Sequence, residues 1–202
     1  MRRPVAGSSA LKNQRFTYAD YKTWPDNERW ELIGGIAYGM SPAPRRLHQK
    51  ISGKIFAQLE RFFAGKPCEP YNAPIDVFWT ADLAADLDTI EEITQPDILV
   101  VCDPLKLIDE GIKGAPDFII EILSPSSAFR DQTEKLRLHQ RFGVREFWLV
   151  NPETLEVFIY TLGNQTVKNP SSPGYGTART ASLEKPVPVS IFPGLELQIP
   201  SN

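Results

Sequence analysis

Cysteine, histidine and methionine are all scarce in this chain, with two of each among 202 residues. Cys68 and Cys102 lie in or beside apolar stretches with no Cys-x-x-Cys or Cys/His spacing, so the sequence supports neither a zinc site nor a disulfide framework. Buried thiols in a reducing compartment are the expectation. Long apolar runs are missing too: none approaches the ~18 residues of a membrane span, and the N-terminus lacks the hydrophobic core of a signal peptide. The cytoplasm is therefore the expected compartment. Positive charge is not in excess, since the formal net charge is -3, and any nucleic-acid role must rest on a local basic patch.

What remains is an ordinary globular composition, 42% hydrophobic and 23% charged, long enough for one good core. The expected organisation is a mobile tail over residues 1–14 and a single domain over 15–202. Eighteen prolines cluster in candidate loops such as Ser41 to Pro44 and Glu184 to Pro188, not in the apolar runs, which predicts several rigid connections.

Along the chain, Thr17 is placed to cap a short helix from Tyr18 to Trp24, stopped by Pro25. Gly34-Gly35 between Arg29–Ile33 and Ile36–Met40 is a two-residue hairpin signal, with Glu31 in the first strand. From about Arg45 to Ala64 the apolar period is helical, with Leu47, Ile51, Ile55, Leu59 and Phe62 as the core stripe. Arg46, Lys50 and Lys54 run beside that stripe at four-residue intervals, a line suited to a phosphate backbone and equally to a solvated flank. His48 lies on the opposite edge, where a structural hydrogen bond is the commoner role. Pro74 to Thr80 reads as a strand carrying Asp76, residues 81 to 92 as an acidic connection, and Pro104 to Ala115 as an irregular or short helical crossover. Val144 to Val150 and Leu155 to Leu162 read as antiparallel strands, with weaker strands toward the C-terminus. The pattern predicts an α/β or α+β fold around a mixed central sheet flanked by helices, with β-hairpin additions at both ends.

The stretch from Gln95 to Lys135 carries the chemistry. Asp97 opens the apolar run Ile98 to Val101, and Glu121 interrupts the run Phe118 to Leu123. An acid inside a buried strand has to be neutralised by a metal, a proton or a partner charge. The strand period of two puts Ile119, Glu121 and Leu123 on one face and Phe118, Ile120 and Ile122 on the other, the pattern of a strand covered on both sides in a largely parallel sheet. The segment after Ser124-Pro125-Ser126-Ser127 reads as a helix ending near Gly143. Asp131, Lys135, Leu138 and Phe142, spaced four, three and four, share one face of it, and the two apolar residues turn that face and Lys135 inward. An exposed Asp131–Lys135 pair is the plainer account of those two residues alone. Two carboxylates on neighbouring strands with a lysine nearby suit Mg²⁺ or Mn²⁺ and phosphodiester hydrolysis; a glycosidase-like acid pair needs no lysine.

These residues resemble a known group. Gln95-Pro96-Asp97, Glu121-Ile122-Leu123-Ser124-Pro125-Ser126, Arg130-Asp131 with Glu134-Lys135, and Gly143 through Val150 are similar to the motifs of the bacterial Uma-two family of restriction-endonuclease-like proteins, within the PD-(D/E)XK nuclease superfamily. Glu31-Leu32-Ile33, Met40-Ser41-Pro42, His48-Gln49 and Pro74-Ile75-Asp76-Val77 add to the likeness, which runs over about residues 16 to 197. The resemblance implies a restriction-endonuclease-like core in which Asp97 and Glu121, helped by the Ile122 carbonyl, bind Mg²⁺ or Mn²⁺. In the superfamily the lysine lies two residues after the second acid; here that position is Leu123, and Lys135 resembles a replacement supplied by the following helix. Glu31 resembles an acid that supports the metal, and Asp76, His48 and Asp131 are candidate neighbours of the site. The expected activity is metal-dependent cleavage of DNA by a homodimer, with RNA or branched DNA as other substrates and a non-catalytic DNA- or protein-binding module as the alternative.

Overall fold

A computed structural model describes residues 14–25, 27–40, 45–124, 131–163 and 174–200. The expected mobile tail lies almost wholly outside these residues, as do the 41–44 loop, the 125–130 segment with its serine caps and Arg130, and the side chain of Asp131.

The chain passes from a short helix α1 (Tyr18–Tyr21) into the hairpin β1 (Trp30–Ile33) and β2 (Ile36–Gly39), then the long helix α2 (Arg46–Phe63). Strands β3 (Glu69–Asn72), β4 (Val77–Phe78), β5 (Ile93–Thr94) and β6 (Ile98–Val101) follow, then the hairpin β7 (Leu107–Ile108) and β8 (Gly111–Lys113), and β9 (Phe118–Ile122). A π-helical turn (Asp131–Lys135) runs directly into helix α3 (Leu136–Phe142). The remaining strands are β10 (Glu146–Val150), β11 (Glu156–Gly163), β12 (Gly174–Tyr175), β13 (Arg179–Ser182), β14 (Val187–Pro188) and β15 (Glu196–Leu197).

The strands assemble as β12-β11-β10-β9-β6-β3, with β13 also on β11, and as a second sheet β2-β1-β5-β4-β8-β7; β14 and β15 pair as a C-terminal hairpin. This is the mixed α/β architecture that the element pattern predicts, of the restriction-endonuclease-like kind that the resemblance implies, with the N-terminal hairpin forming the edge of the second sheet. Gly34 and Gly35, at φ 60° and 72°, supply the left-handed turn that closes β1 onto β2 with Ile33 opposite Ile36.

Burial follows the two periodicities. Ile51, Ile55, Leu59 and Phe63 of α2 pack with Ile98, Val100, Phe118, Ile120, Ile122, Trp148 and Val150 on one face of the larger sheet. Each such side chain contributes about 1.5–3 kcal/mol by leaving water. Leu99, Val101, Ile119, Phe147 and Leu149 face the other way, against Leu138 of α3 and against Val77, Trp79 and Ile112 of the second sheet. Gly143, at φ 84°, ends α3 as expected, its N–H donating to the carbonyls of His139 and Gln140.

Several expectations are corrected. The crossover Pro104 to Ala115 is not helical: after a 3₁₀ turn over Pro104–Lys106 it forms the β7–β8 hairpin, which joins the second sheet. The chain thus leaves the larger sheet, turns, and re-enters it beside β6 in the opposite direction, so β9 is antiparallel to β6 and parallel only to β10. The sheet around the acids is mixed, not largely parallel. The first helix ends at Tyr21, before Trp24, and only Val77–Phe78 of the expected 74–80 strand pairs as one. Finally, Cys68 and Cys102 are not buried free thiols; they are half-buried and joined as a disulfide. The antiparallel register that sets Glu69 opposite Val101 carries the next outward positions, 68 and 102, onto one another. Among the described residues no helix is long and apolar enough to cross a membrane.

Among the described glycines, Gly111 leaves the least room for a side chain. It adopts φ 149°, and a Cβ there would lie 2.3 Å from the carbonyl oxygen of Asp76. Gly111→Ala should therefore cost about 3 kcal/mol in urea unfolding, from overpacking and backbone strain together. Gly143→Ala, left-handed but in open space, should cost about 1 kcal/mol in the same measurement.

Candidate functional site

The register of the larger sheet builds the site. Ile98 pairs with Ile120 and Leu99 with Ile119, so the antiparallel ladder carries Asp97 opposite Glu121 at the end where β6 begins and β9 finishes. Backbone amides cross-link the two carboxylates: the Ile122 N–H donates to Asp97 Oδ2 at 2.7 Å, and the Asp97 N–H donates to Glu121 Oε2 at 3.4 Å.

Lys135 closes the centre from above. Its side chain is buried, and Nζ lies 2.9 Å from Glu121 Oε1 and 2.9 Å from Glu31 Oε1. The amine therefore points into the molecule, as the spacing with Leu138 predicts. Glu31 arrives from β1 of the second sheet and also accepts the Gln95 N–H at 3.1 Å. His48, on the first turn of α2, reaches the Asp97 carboxylate, with Nε2 3.0 Å from Oδ2. Among the described residues, the ion pairs of Lys135 go to the two glutamates, and Asp97 is met by the histidine.

Asp76 stands next to this centre. Its carboxylate accepts the Tyr21 hydroxyl at 3.1 Å and the Gln95 amide at 2.9 Å. Burial pushes its carboxyl up from the usual aspartate range, opposed by those two hydrogen bonds and by the nearby Arg29. Arg46 and Lys50 are exposed and Lys54 is half-buried on α2, so the basic line faces solvent along the helix that brings His48 to Asp97.

Four residues at or beside the site escape the sequence reading. Gln95 was visible only as part of Gln-Pro-Asp, yet it touches Glu31, Asp76, Tyr21 and Arg29. Tyr21 and Arg29 carried no signal. His139 follows Lys135 by one helical turn, which was the available clue. Its ring is fully buried, stacked on Trp79 at 5.1 Å and edge-on to Phe147 at 4.5 Å, with no hydrogen-bond partner for either nitrogen among the described residues.

The donor atoms on Asp97, Glu121 and the Ile122 carbonyl are all oxygen, the chemistry that Mg²⁺ or Mn²⁺ takes. Among the described residues no three His, Cys, Asp or Glu side chains come together as a metal cage. An ion held by two carboxylates and a carbonyl would keep water or substrate oxygens at its other positions, which suits Mg²⁺.

Comparison with known proteins now bears on this geometry. The family model Uma2, described as "Putative restriction endonuclease", matches residues 18–200. The chain belongs to the Uma2 family. An uncharacterized protein of Synechocystis sp. is 24% identical over 159 residues, 77% of this chain and 79% of that one. The crystal structure of an Anabaena variabilis protein, described as "a putative nuclease belonging to DUF820", superposes with a TM-score of 0.66, covering 91% of this chain and 94% of that chain at 20% identity. At that identity the likeness concerns the fold, and in this Uma2 protein the acids and lysine stand on the restriction-endonuclease-like core.

Burial, and secondarily the Lys135 charge, hold His139 well below the ordinary histidine range. The unfolded chain takes up a proton below about pH 6.5 and the folded chain does not, so stability present at neutral pH is lost as pH falls. His139→Leu should remove that loss: urea unfolding at a series of pH values below 6.5 should find the parent losing about 1.4 kcal/mol more per pH unit than the variant.

Proposed function

We propose that this chain acts on DNA through the centre formed by Glu31, Asp97, Glu121 and Lys135. The supporting observation is the placement of Lys135 Nζ, 2.9 Å from glutamates contributed by two different sheets. Membership of a family described by its restriction-endonuclease character supports the same substrate class.

The contacts bear most directly on a module that holds DNA, or a protein, without cutting it. Lys135 already bridges Glu31 and Glu121, and His48 with the Ile122 amide already engages Asp97, so the centre forms a closed polar network from protein groups. Arg46 and Lys50, with Lys54 behind them, would follow the phosphate backbone along α2.

The catalytic form, hydrolysis of DNA phosphodiester bonds with Mg²⁺ or Mn²⁺, is supported by the all-oxygen donor set. Asp97, Glu121 and the Ile122 carbonyl would hold the ion, which when bound polarises a phosphate oxygen and lowers the pKa of a coordinated water. Lys135 would orient the attacking water or offset the negative charge that develops on the phosphate oxygens. Glu31 would keep the ammonium in place by sharing it, and the Ile122 N–H would fix the Asp97 carboxylate. Two copies related by a two-fold axis would match the two strands of a duplex.

Purified protein incubated with plasmid and single-stranded DNA, in Mg²⁺, Mn²⁺ or EDTA, separates the two forms. In the catalytic form the parent cuts with either metal and not in EDTA, and both Glu121→Gln and Lys135→Met slow cutting at least about a hundredfold. DNA retardation without cutting under any of these conditions supports the binding form. Cutting by Glu121→Gln at the parental rate would mean that the centre has been misassigned.

A further inference from the structure

Arg29 immediately precedes β1, and its carbonyl accepts the Met40 N–H at 2.9 Å, so the β1–β2 ladder extends to it. The strand period of two therefore puts Arg29 on the same face as Glu31, one residue pair from the acid–lysine centre. Its guanidinium is not folded onto either neighbouring acid. Nε and Nη2 both donate to the neutral Gln95 Oε1, at 3.0 and 2.6 Å. Gln95 meets the acids itself, its backbone N–H on Glu31 Oε1 at 3.1 Å and its side-chain Nε2 on Asp76 Oδ1 at 2.9 Å.

This arrangement sets an amide between the cation and the two carboxylates. An arginine serving only to neutralise Asp76 or Glu31 would be expected to fork onto a carboxylate, where two parallel N–H···O bonds between opposite charges add both energy and fixed geometry. Among the described residues Arg29 makes no such pair within 4.0 Å. It is half-buried and so still reaches the surface. A guanidinium stays charged at every relevant pH and matches the oxygens of a phosphate in a fork geometry. A centre lined by Glu31, Asp76, Asp97 and Glu121 would repel a nucleic-acid backbone, and a cation beside it offsets that repulsion.

We infer that Arg29, held by Gln95 beside the acid–lysine centre, is a phosphate-contacting residue that takes two oxygens of a nucleic-acid backbone phosphate. The inference rests on the DNA-acting reading above and extends it to a residue outside the acid–lysine set. Gln95 is the positioning residue, fixing the guanidinium and tying it to Glu31 through its own backbone.

The test is a binding measurement independent of cleavage. Fluorescence anisotropy of a labelled duplex of about twenty base pairs is followed from about 50 to 200 mM salt in EDTA, in a Glu121→Gln background. Arg29→Ala should weaken binding about five- to tenfold at the low-salt end and lower the slope of log affinity against log salt by about one. Arg29→Lys should keep the slope and lose part of the affinity, because the charge stays and the fork is lost. Arg29→Gln keeps an amide donor for Gln95 and removes the charge, so it serves if the alanine variant does not fold; it should reproduce the lowered slope. A folded Arg29→Ala or Arg29→Gln protein with the parental slope would overturn the inference while leaving the DNA reading intact. Absence of duplex binding by the Glu121→Gln protein and by the parent at low salt would overturn both.

Discussion

One buried ammonium, that of Lys135, organises the candidate site. It lies between Glu31 from one sheet and Glu121 from the other, so its charge joins two layers that also meet through apolar side chains. Each partner makes the others tolerable: a carboxylate or an ammonium taken from water alone is prohibitively costly, and removing one member of a buried pair typically costs about 3–5 kcal/mol. The seam between the sheets is consequently charged at this end, while an apolar cluster that also encloses the His139 ring fills the region beside it.

The backbone prepares that end. Asp97 and Glu121 come together because β6 and β9 are antiparallel neighbours in a register that sets the two positions opposite each other, and the Ile122 amide then fixes Asp97. Gln95, between β5 of one sheet and β6 of the other, uses its main chain on Glu31 and its side chain on Asp76 and Arg29. The same short crossing from sheet to sheet therefore supplies an acid, an amide and the anchor of a cation. His48 and Lys135 enter from helices packed on opposite faces of the larger sheet, which links the site to both hydrophobic cores.

Much of this was legible from local periodicity. Alternation along Phe118 to Leu123 sorted Glu121 from Phe118, Ile120 and Ile122, and the Lys135, Leu138, Phe142 spacing turned the amine inward. Gly34-Gly35 marked the N-terminal hairpin, and the helical stripe of Ile51, Ile55 and Leu59 marked α2. What was not legible depended on pairings between distant segments. The β7–β8 hairpin hid in a Pro- and Gly-bearing connection whose strands are two and three residues long. The Cys68–Cys102 bridge required knowing the β3–β6 register across 34 residues. Arg29 and Tyr21 gained meaning only through the folded position of Gln95, and His139 is a polar residue on an apolar face, where spacing indicates burial without naming its neighbours.

The sequence by itself determined which face most strand and helix side chains take, because strand and helix periods are properties of the local backbone; Phe63 in place of Phe62 and the half-buried Cys68 and Cys102 are exceptions. It also identified the acids and the lysine, since a charge in an apolar run demands a partner wherever the chain folds. Tertiary structure alone decided who those partners are: Lys135 is shared by Glu31 and Glu121, while His48 goes to Asp97. Strand direction, register and the order of strands are set by the packing of the whole chain, and no local period encodes them.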